Sequence, residues 1–260
     1  MNAVHEQCLI LSRRVLRTGV VDLSLYSEYI AEHAVPGQFV HIKCGESALL
    51  RRPISICNTT KSSIRLVIEV VGLGTEWLYE RSVGETLDLI GPLGGKGFPD
   101  LDPKGSPILL VGGGCGVAPL LFAAARSKGE VDAVMGFSTA EKVIMVQDFE
   151  QYCSKVTICT DDGSAGVHSN VAALAYEMLS KNRYAAVFSC GNMEMLKSLS
   201  GALFGLRIPC YVSLSERMGC GLGACKVCAT KTKKPDDGDA HNYSHVCSYG
   251  PVYDASEVVW

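Results

Sequence analysis

Cys220, Cys225, Cys228 and Cys247 stand in the order C-x4-C-x2-C-x18-C near the C-terminal end of the chain. Four thiolates with that spacing ligate a plant-type 2Fe-2S cluster, which makes the chain an electron carrier. Gly219, Gly221 and Gly223 interleave the first ligands between Arg217 and Cys228. They allow the backbone to curl tightly, with its N–H groups facing the sulfides. The competing reading is a structural zinc site of four thiolates, which usually joins two short C-x2-C pairs. On that reading the chain is a non-catalytic nucleotide-binding or scaffolding protein.

Upstream, three further groups of residues can do chemistry. In Arg52-Pro53-Ile54-Ser55 the guanidinium suits a pyrophosphate and the hydroxyl can reach a flavin ring. An ordinary strand carrying Arg-x-x-Ser is the plainer alternative. Gly72 to Thr75 opens a short helix whose free N–H groups suit a phosphate. Gly112, Gly113, Gly114, Cys115 and Gly116 lie between an apolar run and a helical stretch, where backbone can approach a dinucleotide pyrophosphate. Val117 stands where G-x-G-x-x-G would have its third glycine, so a tight strand-helix turn without a ligand remains open. Ser189 to Met195 ends another apolar run, and Cys190 can lie beside a nicotinamide ring or simply in the core. Thr160 to Gly166 either contacts a ribose or forms a turn. Glu141 after the second strand suits a ribose 2'-hydroxyl, whereas Ser138 and Lys142 suit a phosphate. No paired carboxylates and no nucleophile-base constellation stand out.

The elements that must position these residues fall into three stretches. Residues 1–100 read as short β-runs, namely 8–16, 20–26, 38–43, 54–57, 64–71 and 86–90, with one short helix over 75–81. They predict an all-β barrel or sandwich. Over 101–214 strands at 108–111, 131–137, 156–160, 185–190 and 210–214 alternate with helical stretches at 117–127, 146–152, 169–181 and 194–204. That alternation predicts a doubly wound parallel sheet. Residues 215–260 are rich in Cys and Gly, too few to bury a core alone, and are expected to depend on the cluster to stay folded. Lys231 to Asp239 reads as an exposed loop.

The 260 residues are 47% apolar, enough to fill ordinary cores, and contain no apolar run near the length of a membrane span. The N-terminal residues lack the basic start and apolar core of a signal peptide, so the expected location is the cytoplasm. Twelve cysteines, eight of them scattered through apolar segments, fit reduced thiols better than a secreted disulfide scaffold. A net charge of -3, from 24 basic and 27 acidic residues, offers nothing to nucleic acid or to an anionic membrane.

In this order the motifs over residues 1–214 resemble the ferredoxin-NADP reductase superfamily. With the cysteine segment behind them, the whole chain resembles the electron-transfer subunits of B-type, NAD-dependent dihydroorotate dehydrogenases. Pro36 to Phe39, Leu50 to Ser55, Gly112 to Pro119, Thr160 to Ser164, the four cysteines and Val246 to Tyr253 carry the likeness. The resemblance implies a multi-domain β plus α/β chain: an FAD-binding barrel over 1–100, an NAD-binding domain over 101–214 and a 2Fe-2S domain over 215–260. One FAD would be contacted by Arg52, Pro53, Ile54, Ser55, Val67, Ile68, Glu69, Gly74 and Thr75. NAD would lie against Gly112, Gly113, Gly114, Cys190 and Gly191, and no side chain need act as acid or base.

It further implies a partner, an FMN-containing catalytic subunit that oxidises dihydroorotate to orotate in pyrimidine biosynthesis, in a heterotetramer of two plus two chains. Electrons would pass singly through the cluster to FAD and leave as hydride to NAD+. The interface is expected around the cluster, near Leu222 and Lys226. Subunits of a sulfide dehydrogenase, an NADH-dependent ferredoxin-NADP oxidoreductase or a hydrogenase diaphorase share the same build. Glu69 departs from the pattern, since relatives often carry a basic residue there, and so does His168. Cys115 takes a slot often filled by an aliphatic residue, which points to a structural use. Trp260 suits packing of the small C-terminal segment more than flavin stacking.

Overall fold

The computed structural model of the chain describes residues 3–46, 48–101, 105–233 and 241–260. Its N-terminal part is a closed antiparallel barrel of β1 (Val4–Arg17), β2 (Val20–Tyr26), β3 (Phe39–Ile42), β4 (Arg52–Thr59), β5 (Ser63–Glu69) and β6 (Thr86–Leu93), in the order β1-β2-β5-β4-β3-β6. Inward side chains recur with the two-residue period of a strand, as in Ile64, Leu66 and Ile68 of β5, and closure leaves no unpaired edge. Arg52 to Ser55 open the barrel strand β4, which begins two residues before the run expected at 54–57. Two short helices accompany the barrel, α1 (Glu28–His33) and α2 (Leu73–Tyr79). The first has no periodic signal and is started by Ser27, whose hydroxyl accepts from the Ile30 N–H at 3.2 Å. The second begins two residues earlier than its sequence suggests, because Thr75 caps it from inside.

A seven-stranded sheet follows, built from β7 (Ile108–Gly113), β8 (Val131–Phe137), β9 (Lys155–Thr160), β10 (Val167–His168), β11 (Ala186–Cys190), β12 (Cys210–Ser213) and one late strand. Its order is β10-β9-β8-β7-β11-β12, with every neighbouring pair parallel. Helices α3 (Ala118–Arg126) and α4 (Val146–Glu150) cover the face toward the barrel, while α5 (Val171–Lys181) and α6 (Met193–Leu203) cover the other. Each helix starts or stops within two residues of its apolar pattern. Asn170 and Asn192 set two of the starts by accepting from the N–H groups of Ala173 and Met195. A 3-10 turn over Gly114–Val117 precedes α3, so that helix begins at Ala118 and not at Val117.

The C-terminal segment adds the hairpin β13 (Ala229–Lys233) and β14 (His241–His245), and then β15 (Val252–Asp254). Lys231 to Lys233 are strand residues, not part of an exposed loop; the rest of that stretch, 234–239, lies outside the described residues. β15 pairs antiparallel with β12 and completes the sheet. Val246, Cys247, Tyr253, Ala255 and Val258 sit in one apolar core with α5, α6, β11 and β12. The segment thus borrows the core of the sheet instead of resting on a metal group alone. Trp260 packs on that core and donates its indole N–H to the Ala255 carbonyl at 3.1 Å.

Candidate functional site

β7 and β11 are neighbours whose following helices, α3 and α6, lie on opposite faces of the sheet. Such a switch point opens a crevice at the carboxyl ends of the strands. Here the barrel closes it into a cleft of about 820 Å³. Pro53, Ile54 and Ser55 of β4, with Val67, Ile68 and Glu69 of β5, form the barrel wall. Gly113, Gly114, Cys190 and Gly191 form the sheet wall. These ten residues, all singled out from sequence, are therefore brought together in one cleft.

Gly116 explains how close the walls come: a Cβ there would stand 2.6 Å from the Cys190 carbonyl oxygen. Only glycine lets the loop lie against the end of β11. Burial pushes the buried Cys190 thiol up to about 11, so it faces the cleft as a neutral group. Asn170 and Asn192 also line the cleft, so the N-termini of two eleven-residue helices open into it. Those ends favour an anion such as a pyrophosphate.

Gly112, Arg52, Gly74 and Thr75 lie outside this cavity. Gly112 is packed beneath the loop against Val117 and Leu120. Arg52 lies over Gly74 and donates to the Leu50 carbonyl. The Thr75 hydroxyl accepts from the N–H groups of Val71 and Gly72 at 2.8 and 3.2 Å, so those two donors are already engaged. This second group borders the strand that bears Pro53 to Ser55. Glu141 is exposed and does not line the cleft, whereas Ser138, Lys142 and Asp161 do.

Arg17, at the end of β1, is a cleft residue without a sequence motif. Its guanidinium meets the Glu69 carboxylate at 2.5 Å, which places a cation beside that acidic position. Cys115 also lines the cleft; burial and then the nearby Glu69 charge push its thiol up to about 12. His168 makes a different contact: its Nε2 lies 3.0 Å from the Asp161 carbonyl and holds the turn after β9. Asn170 and Asn192 carry a legible signal, a capping residue before an apolar period. Ser215 and Arg17 do not.

The four-cysteine loop forms a second centre. Cys228 Sγ and Cys247 Sγ are 3.2 Å apart, while Cys220 and Cys225 exchange N–H contacts to each other's sulfur at 3.3 and 3.4 Å. The N–H groups of Leu222 and Gly223 point at Cys220 Sγ and Cys247 Sγ. Among the described residues no three His, Cys, Asp or Glu side chains converge as ligands of one ion. Two thiol pairs ringed by backbone donors suit a two-iron group with bridging sulfides. Desolvation raises the Cys220 thiol, yet the N–H groups of Cys225, Leu222 and Ala224 outweigh it and hold the thiol at about 6.

A family model described as the iron-sulfur cluster binding domain of dihydroorotate dehydrogenase B matches residues 215–259. The chain is 39% identical over 264 aligned positions to a Geobacillus thermodenitrificans (strain NG80-2) protein named dihydroorotate dehydrogenase B (NAD(+)), electron transfer subunit, with 98% of each covered. A protein of the same name from Enterococcus faecalis (strain ATCC 700802 / V583) is 38% identical over 266 positions, with 100% of both covered. A solved structure of an NADH-dependent reduced ferredoxin-NADP oxidoreductase, described in connection with flavin-based electron bifurcation, has a TM-score of 0.84 and 28% identity. That match covers 100% of this chain and 92% of the other.

Proposed function

The chain belongs to the family of dihydroorotate dehydrogenase B electron transfer subunits, and from that premise we propose that it conducts electrons from a flavoprotein that oxidises dihydroorotate to orotate, through 2Fe-2S and FAD, to NAD+. It is one subunit of an NAD-dependent oxidoreductase and serves pyrimidine biosynthesis. When bound, an iron-sulfur cluster carries electrons one at a time and a flavin turns pairs of them into the hydride that a nicotinamide accepts.

The chain's own residues have three tasks. Cys220, Cys225, Cys228 and Cys247 hold the cluster, with N–H groups that stabilise negative sulfur. Pro53, Ile54, Ser55, Val67, Ile68 and Glu69 would hold FAD along the barrel wall, with Arg52, Gly74 and Thr75 contributing from beside the cleft. Gly112, Gly113, Gly114, Cys190 and Gly191 hold NAD on the sheet wall, with Gly112 acting from beneath the loop. The cleft would bring the two groups together between its walls and keep bulk water out. Divided by task, residues 1–100 serve FAD, 101–214 serve NAD and 215–260 serve the cluster.

The partner carries FMN and assembles with this chain two plus two, docking around Leu222 and Lys226. Among the described residues no helix is long and apolar enough to cross a membrane, and we assign the chain to the cytoplasm. The single observation that carries the reading is one chain holding two thiol pairs ringed by N–H donors and a cleft walled by both β4 and the glycine loop. Co-purification with the native partner and assay of dihydroorotate-dependent NAD+ reduction tests it. Activity of the pair with neither subunit sufficient is the expected result. A pair inert to dihydroorotate but active with ferredoxin would transfer the chain to the function of its structural relative.

A further inference from the structure

Between the cleft and the cysteine loop stands a histidine that neither centre uses. His41 lies on β3 directly opposite Pro53 of β4, and opposed residues of an antiparallel pair share a face. Its side chain is therefore on the side of the strands that carries Pro53 and Ser55. The residue is fully buried, with Nδ1 3.2 Å from the Cys220 carbonyl oxygen and Nε2 making no hydrogen bond among the described residues. A carbonyl can only accept, so Nδ1 carries the proton.

The loop is shaped to meet this ring. Gly221 has φ +71 and a Cβ on it would stand 2.7 Å from His41 Nδ1, so a side chain there would displace the contact. The two limbs of the loop are secured differently. On the Cys247 side, backbone meets backbone: the Lys96 N–H donates to the Gly250 carbonyl at 3.0 Å, beyond the end of β6. On the Cys220 side, the hydrogen bond to the barrel among the described residues comes from His41. An unpartnered buried ring nitrogen opposes folding. Its retention is explained by the contact made on the other side of the ring.

We infer that His41 is a positioning residue, which fixes the Cys220 limb of the cluster loop against the flavin-binding strand and so sets the gap that single electrons cross. This rests on the assignment of Pro53 to Ser55 to the flavin. His41→Leu keeps a buried side chain and removes the donor; His41→Asn returns an N–H near the position of Nδ1.

Holo protein of each variant is mixed anaerobically with NADH while flavin bleaching and cluster reduction are followed separately, and the reduced cluster is examined by paramagnetic resonance. In His41→Leu flavin bleaching keeps its wild-type rate. Cluster reduction slows by about tenfold to about a hundredfold, the scale of a misplacement of about 1 Å, and the resonance line shape changes. His41→Asn returns both towards wild type. Unchanged cluster reduction and line shape in His41→Leu overturn the inference. If His41→Leu loses its iron, His41→Asn decides: retained iron with wild-type cluster reduction supports the donor role, and equal loss overturns it. Wild-type protein without flavin bleaching would instead defeat the functional reading beneath it.

Discussion

Glu69 stands in the cleft because Arg17 reaches it from another strand, 52 positions away in the chain. Alone, a carboxylate on that wall would repel a pyrophosphate approaching the N-termini of α5 and α6. Paired, it is locally neutral. Arg17→Met should therefore raise the KM for NAD+ by about fivefold, the equivalent of roughly 1 kcal/mol for a partly exposed pair. Arg17→Met with Glu69→Gln should recover most of that loss, because the repelling charge is gone. Steady-state kinetics of the two variants checks both, and a double variant as impaired as the single one would show that Arg17 acts otherwise. The place of Pro53 to Ser55, Gly113, Gly114 and Cys190 in the cleft wall was legible because each motif gathers its residues within a short stretch at a strand or its end. Arg17 was not, since its partner is supplied by barrel closure. Glu141 misled for a related reason: the 3-10 turn Ala140–Lys142 leaves it exposed and puts Lys142 in the cleft wall.

Strands and helices were legible where periodicity was strong, and their ends were decided by capping residues that periodicity does not register. α1 is too short to show a period, and β15 is a three-residue strand whose place depends on pairing with β12, not on its own composition. That pairing changes what the cluster segment needs. Since Val246, Tyr253 and Val258 lie in the core of the sheet, removal of iron by chelation should leave the sheet and barrel folded and loosen only the turns around 219–228. Hydrogen exchange resolved by segment reads this directly, and global loss of protection would show that the cluster holds the whole fold. Strand β6 offers a pH-dependent test of the barrel. Burial alone would raise the Asp88 carboxyl, but Arg51 donates to it at 2.6 Å and, with His5, holds it below its ordinary 3.8. A carboxyl lowered by folding stabilises above its ordinary value, and that contribution fades as pH falls through the lowered one. Asp88→Asn should thus be less stable than wild type in denaturant titrations near pH 7, and the gap should close on acidification below about 4. A gap that persists unchanged in acid would assign the effect to packing.

At the scale of the whole molecule, function depends on the angle between barrel and sheet, since the cleft takes one wall from each. Arg65 of β5 fastens that angle: it pairs with Asp22 of β2 at 2.8 Å and with Asp148 of α4 at 2.7 Å. Arg14 reaches the same two carboxylates more weakly and is itself exposed. Nothing local in the sequence marks this triad, because Asp22 and Arg65 meet only when β2 and β5 pair, and Asp148 joins them only when the barrel docks on α3 and α4. Replacing Arg65 with Met would leave Asp22 and Asp148 facing each other across the junction, largely buried and with only Arg14 between them. Breaking such a pair costs about 3–5 kcal/mol when burial is complete, so a loss of roughly 2–3 kcal/mol is expected here. The charge repulsion pushes α4 away from the barrel and opens the cleft, while both binding walls stay intact. Arg65→Met should accordingly retain flavin and iron but lose hydride transfer from NADH by at least about tenfold, as misaligned reacting groups do. Adding Asp148→Asn to that variant removes the repulsion and should restore part of the rate; rapid-mixing measurement of flavin bleaching in both proteins distinguishes a fastened angle from mere stability, because a stability defect alone would leave the folded fraction reacting at the wild-type rate.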